Sequence, residues 1–371
     1  MLFALDFLNR MEQKYPGVLS EPDQLSKETK TFPLKTVLSD DDICGMNALR
    51  HWKKDKVLYS FEDNVARAIL KQTTDPDRSF PLFLMRQLPY PCIAVQTTPF
   101  DIKNLTSQNV IDQYTGNAFL WLDEDRLISA WQIKGDQYFM ASMILKDGMT
   151  IDDCFENIIF ENLREYFLTR QIEKIKNILN VERFSDITSF TSENYHALEK
   201  RFGENAEKIN SALHLSNVQE ILMRYALHIV LYLACENADI EAAEEKLKRG
   251  QWASAIEGEP RKVNLHVCQK ALKKTEGVQI KDVGYRIAGK FHRSFSGNNK
   301  SEKGTGTGTK KGYEKRRAHF HHFWIGPRNG EIAEDIMHPA PGEKGLKLRW
   351  VEATEIHPEL RDDNAIVIKL D

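Results

Sequence analysis

Five short apolar runs between residues 57 and 145 leave this chain few choices of fold. They are residues 80–85 (FPLFLM), 92–95 (CIAV), 118–122 (AFLWL), 127–133 (LISAWQI) and 138–145 (YFMASMIL), separated by turn formers such as Pro, Gly, Asn and Asp. Each is shorter than a packed helix needs, and several are rich in the aromatic and β-branched residues that suit a pleated surface. The pattern predicts a mostly antiparallel sheet. Asp123-Glu124-Asp125 and Lys134-Gly135-Asp136 fall between its last three strands as hairpin turns.

Helical signals flank this region. Residues 2–15 are apolar on most faces and stop at Pro16-Gly17, and Ser39 with Asp40, Asp41 and Asp42 forms a helix start. Acids there sit at the positive end of the dipole, while Arg50, His51, Lys53 and Lys54 lie near its negative end. Thr150-Ile151-Asp152-Asp153 caps an amphipathic stretch running towards Leu179. Ser216-Asn217-Val218-Gln219 reads as a capping box before an apolar helix at 221–235, expected at the centre of the core, and 239–249 as a shorter charged helix. The fold class is therefore α+β: an N-terminal half that is mostly antiparallel sheet, central buried helices and a basic C-terminal two-strand unit. The expected divisions are a sheet-rich part at 1–150, a helical part at 151–293, a flexible basic Gly/Thr loop at 294–314 and a basic aromatic unit at 315–371.

The net charge of −3 conceals an asymmetry. Between Lys281 and Gly330 there are twelve Lys or Arg against three Asp or Glu, a local charge of +9 that leaves −12 for the rest. An acidic body with a basic segment suits a protein that touches a polyanion through one region. The five cysteines (Cys44, Cys92, Cys154, Cys235 and Cys268) are far apart, odd in number and set in apolar runs, as core thiols of a reducing cytoplasm would be. No basic leader precedes the first apolar residues, and the most apolar helix is interrupted by Arg224 and His228 and is too short to span a bilayer. A cytosolic protein without membrane contact is expected.

Residues 315–324 (KRRAHFHHFW) are the most unusual stretch. On a strand, His319, His321 and Phe323 point one way and Phe320, His322 and Trp324 the other. Lys347 and Arg349 alternate with Leu346, Leu348 and Trp350 in a second strand-like run, and would add cations to the same surface. Cations neutralise phosphates and ring faces stack on unpaired bases. Lys315, Arg316, Arg317, His319, His321, Trp324, Lys347 and Arg349 are thus the candidate nucleic-acid contacts. Composition alone equally allows a packed two-strand unit with a solvated basic edge; the +9 window favours RNA.

Other chemistry has weaker support. His319 and His321 have a known metal-ligand spacing, but no third ligand can be identified among candidates such as His338, His357 and Cys268, so neither metal nor cofactor is assigned. A metal-independent ribonuclease, with His319 and His321 as acid and base and Arg317 stabilising the phosphorane, is the enzymatic alternative. The Gly-Thr tract at 304–309 lacks the Gly-Lys-Ser/Thr of a phosphate loop. Arg224 and His228, one helical turn apart, read as satisfied core polar groups.

The pattern Arg317-x-His319-aromatic-His321-x-aromatic-Trp324, a Gly/Pro/charged loop and then Lys347-x-Arg349-Trp350 resembles the C-terminal signature of the second type V-A anti-CRISPR family. Residues 88–95 (LPYPCIAV), 231–240 (LYLACENADI) and 284–289 (GYRIAG) are similar to family segments in the same order. His322, Glu352-Ala353 and the Gly-Thr insertion depart from the pattern. The resemblance implies a phage- or plasmid-borne regulator in a bacterial host, not a metabolic enzyme. It implies recognition of the nascent N-terminal peptide of a type V-A effector nuclease and translation-dependent loss of its mRNA. The basic C-terminal unit would then lie near RNA or the ribosome.

Overall fold

A computed structural model of the chain describes residues 2–15, 19, 40–70, 84, 86–103, 110–134, 137–146, 149–184, 191–243, 277–285, 314–316, 319–333, 338–351 and 354–356. For 40–44, 103, 110–112, 314–316, 319, 322 and 354–356 it describes the backbone alone. Two compact units emerge: residues 1–234 with 240–283, and residues 235–239 with 284–371. The fold is α+β, as the patterning implies.

The first unit is built on a sheet that has eight strands among the described residues. These are β1 (Val57–Phe61), β2 (Cys92–Gln96), β3 (Phe100–Lys103), β4 (Val110–Asp123), β5 (Arg126–Ile133), β6 (Gln137–Ile144), β7 (Ile240–Ala242) and β8 (Gln279–Val283). Their order is β6-β5-β4-β2-β1-β8-β7, with β3 on β4. The sheet is mostly antiparallel, but β1 runs parallel to both β2 and β8. All five β1 residues are buried, as expected of a strand covered on both faces. β4 changes partner at Gly116, whose φ of +83° and close approach to Thr97 exclude a side chain; an added Cβ would lie 2.4 Å from the Thr97 carbonyl oxygen.

Helices cover both faces. On one side, α1 (Phe3–Lys14) and α2 (Asp40–Trp52) bury Leu5, Phe7, Leu8, Leu49 and Trp52 against Phe119, Ala94 and Tyr138. The other side carries α7 (Asn205–Leu233), in which Tyr225 stacks on Trp131 at 5.2 Å and Met223 meets Ser129. In sequence, α3 (Asp63–Leu70) lies between β1 and β2, and α4 (Ile151–Arg164), α5 (Thr169–Leu179) and α6 (Ser192–Phe202) lie between β6 and α7. The Thr150 hydroxyl caps α4 by accepting from the Asp153 amide at 3.2 Å.

Several expectations are corrected in detail. The helix at 221–235 is buried as expected, but it is the second half of α7, which begins at Asn205. Ser216 is therefore no cap. Its hydroxyl donates to the Ala212 carbonyl at 2.7 Å and accepts from Asn162 on α4, whose amide also donates to Gln219. Of the helix expected at 239–249, residues Ile240–Ala242 are instead β7, where pairing with β8 outweighs local helix propensity, and 244–249 lie outside the described residues. In the run at 80–85 only Leu84 is described, in a 3₁₀ turn. The Gly-Thr tract falls outside the described residues.

Arg224, partly buried, and His228, buried, both have partners, as expected of satisfied core polar groups. Arg224 pairs with Glu220 at 2.5 Å and lies over the Phe155 ring at 4.0 Å. His228 is held neutral by burial and by Arg224, its pKa lowered to about 4 against a hydrogen bond to the Ile69 backbone. Cys92, Cys154 and Cys235 are buried free thiols, pushed up by burial and so unreactive.

Candidate nucleic-acid interface

The second unit is organised around β10 (His319–Ile325) and β11 (Gly345–Val351), an antiparallel pair with His321 opposite Arg349 and Phe323 opposite Lys347. Side chains alternate across such a ribbon, so this register sorts them into two faces. Leu346, Leu348, Trp350 and Phe320 lie on the inner face, all at most 4% exposed. Phe320 meets Trp350 edge-on at 4.9 Å. That packing fixes which side of the ribbon is turned outward.

The outer face carries His321, Phe323, Lys347 and Arg349. The Arg349 guanidinium lies 5.2 Å from the Phe323 ring centroid, and His321 is 6.2 Å from the same ring. The face thus combines an aromatic ring, an imidazole and two cations, the chemistry that stacks bases and neutralises phosphate.

A shorter antiparallel pair, β9 (Glu314–Arg316) with β12 (Thr354–Ile356), places Lys315 opposite Glu355 and Arg316 opposite Thr354 in the backbone register. His319 pairs with Val351. Arg317 lies outside the described residues, so the His319, His321 and Arg317 constellation of the ribonuclease reading is not assembled among those described. Trp324 is half-exposed, with the Lys344 ammonium 4.7 Å from its ring. It sits opposite Leu346, on the other face from Phe323, and does not extend the His321–Phe323 platform.

Sequence reasoning missed Glu236 and Asn237, which follow α7 by three and four residues. The Glu236 amide donates to the Leu348 carbonyl at 2.9 Å. Asn237 exchanges two hydrogen bonds with the Trp350 backbone, at 2.8 and 2.9 Å, as a strand would. This brings the Glu236 carboxylate onto the outer-face cations: one oxygen accepts from Lys347, and the other lies 3.4 Å from the Arg349 Nε. The Lys347 hydrogen bond, reinforced by Arg349, holds that carboxyl below the ordinary carboxylate range. More than 110 residues of chain separate these groups, so no local motif could reveal the contact.

Among the described residues no three His, Cys, Asp or Glu side chains converge as metal ligands, and no helix is long and apolar enough to cross a membrane.

Residues 59–358 match the AcrVA2-like family model, described as the anti-CRISPR type V subtype A2 family. Among solved structures, the chain is similar to the crystal structure of AcrVA2, with a TM-score of 0.43 and 14% identity over 95% of this chain and 94% of that one. No curated protein matches.

Proposed function

Because the chain belongs to the anti-CRISPR type V subtype A2 family, we propose that it suppresses production of a type V-A effector nuclease. It does so by recognising the nascent N-terminal peptide of the effector and causing translation-dependent loss of its mRNA in the bacterial host. The anti-CRISPR function follows from the family itself. The nascent-peptide route follows from the likeness of the C-terminal signature.

The second unit holds RNA, on a translated message or on the ribosome. One observation carries this reading: Lys347 and Arg349 share the outer face of the ribbon with His321 and Phe323. Cations beside ring faces bind single-stranded nucleic acid through phosphate contacts and stacking, with strong salt dependence. Lys315, Arg316, Arg317 and His319 join these contacts in the same reading, and Trp324 offers a separate stacking surface.

The test is a titration of an unstructured RNA oligonucleotide at several salt concentrations. Arg349→Ala should weaken binding and flatten the salt dependence by about one unit of slope. If the folded variant binds like the parent at every salt concentration, the RNA role is wrong and the face serves an acidic protein partner. Binding of a synthetic effector N-terminal peptide to the parent tests the other half of the proposal.

A further inference from the structure

The two cations best placed to meet a phosphate already hold an anion. Glu236 contributes one carboxylate oxygen to Lys347 and the other to Arg349, and all three side chains remain reachable from solvent. The carboxylate is carried to that position by bonds that do not involve it: the Glu236 amide donates to the Leu348 carbonyl, and the Asn237 side-chain amide donates to the Trp350 carbonyl and accepts from its amide. Rotating the Glu236 side chain away therefore breaks none of these three hydrogen bonds.

We propose that Glu236 is a built-in competitor on an anion site formed by Lys347 and Arg349, and that an RNA phosphate diester binds there by displacing it. The proposal rests on the RNA reading above. An intramolecular carboxylate acts at high effective concentration, so a ligand bearing one isolated charge gains little by entering. A phosphate chain gains more, because each further phosphate that meets a cation releases counterions in addition. Glu236 thus sets a threshold that favours a polyanion over single carboxylates. It also keeps Lys347 and Arg349 paired when no RNA is bound. With Glu236 in place the Arg349 guanidinium lies over Phe323, so a base stacked on that ring would sit beside the cation.

Removing the charge while keeping the shape tests this directly. Glu236→Gln should bind an unstructured RNA oligonucleotide about tenfold more tightly at low salt, the scale of one charge-assisted contact released. Its salt dependence should be steeper than that of the parent. Adding Arg349→Ala should abolish most of that gain. On the parent protein, the Glu236 side-chain carboxyl resonance should move when RNA is added, as the carboxylate loses its cations. If Glu236→Gln binds no more tightly while Arg349→Ala weakens binding, the competitor role is overturned and the RNA reading stands. If neither variant changes affinity, both fall. A Glu236→Gln variant that binds more weakly, or a carboxyl resonance that stays fixed at saturating RNA, also overturns the competitor role.

Discussion

Trp324 and Trp350 show what depth, as distinct from facing, does to a residue. Strand alternation puts both on the side of the ribbon away from Phe323, yet Trp350 is 3% exposed and Trp324 46%. Trp350 packs on Phe320 and is flanked by the strand-like bonding of Asn237, whereas Trp324 lies towards the end of the ribbon under Lys344. Trp350→Ala should cost the second unit about 3–5 kcal/mol, and Trp324→Ala less than about 1 kcal/mol, measured by thermal or denaturant unfolding. Alternation was legible in the residues; depth was not, because the covering segment comes from residue 235 onward. His228 makes a separate prediction at this scale. Its ordinary pKa of 6.5 applies when the chain is unfolded, and burial lowers it to about 4 in the fold. As pH falls below 6.5 the unfolded chain takes up a proton that the native state refuses, so stability declines until about pH 4, where both states are protonated. The loss amounts to about 3 kcal/mol. His228→Gln should flatten that part of the stability–pH curve, whatever its absolute stability; an unchanged slope would refute the assignment.

At the scale of elements, local signals were readable and distant pairings were not. The β4–β5–β6 meander joins strands separated by tight turns, and alternating apolar runs with Asp and Gly between them suffice to reveal it. β1 pairs in parallel with β2 across α3 and with β8 more than 200 residues away, and nothing in VLYSF specifies those partners. Ile240–Ala242 shows the opposite error: residues with helical propensity were drawn onto the edge of β8. Ser216-Asn217-Val218-Gln219 resembles a helix start because a cap and a cross-helix hydrogen-bond network use the same side chains. Gly116 supplies the sharpest test. Gly116→Ala demands a positive φ of 83° from an L-residue and drives a Cβ into the Thr97 carbonyl. It should destabilise the first unit by at least about 2 kcal/mol, seen as a lowered unfolding midpoint.

For the whole molecule, the charge asymmetry of the chain is the feature that composition revealed most directly. The basic window takes in β10, one strand of the ribbon whose outer face also carries Lys347 and Arg349, yet one acid from the acidic remainder, Glu236, is built into that face. The candidate site was thus half legible: its cations and rings follow from alternation, while its internal anion arises from tertiary folding. The unit boundaries carry a further expectation. Because β8 closes the first sheet at Val283, a chain ending there retains every described strand of that sheet. It should unfold cooperatively with the far-ultraviolet signature of a mixed α and β fold, and should bind no RNA.

In the proposed function, a translated peptide directs the loss of its own message. Effector mRNA is therefore the quantity to measure, by quantitative reverse transcription in cells producing this protein. Two effector genes should be compared: one with its first codons recoded synonymously, and one recoded to a different N-terminal peptide. The expected result is loss of the synonymous message and persistence of the altered one. Equal survival of both messages, or equal loss of both, would contradict it.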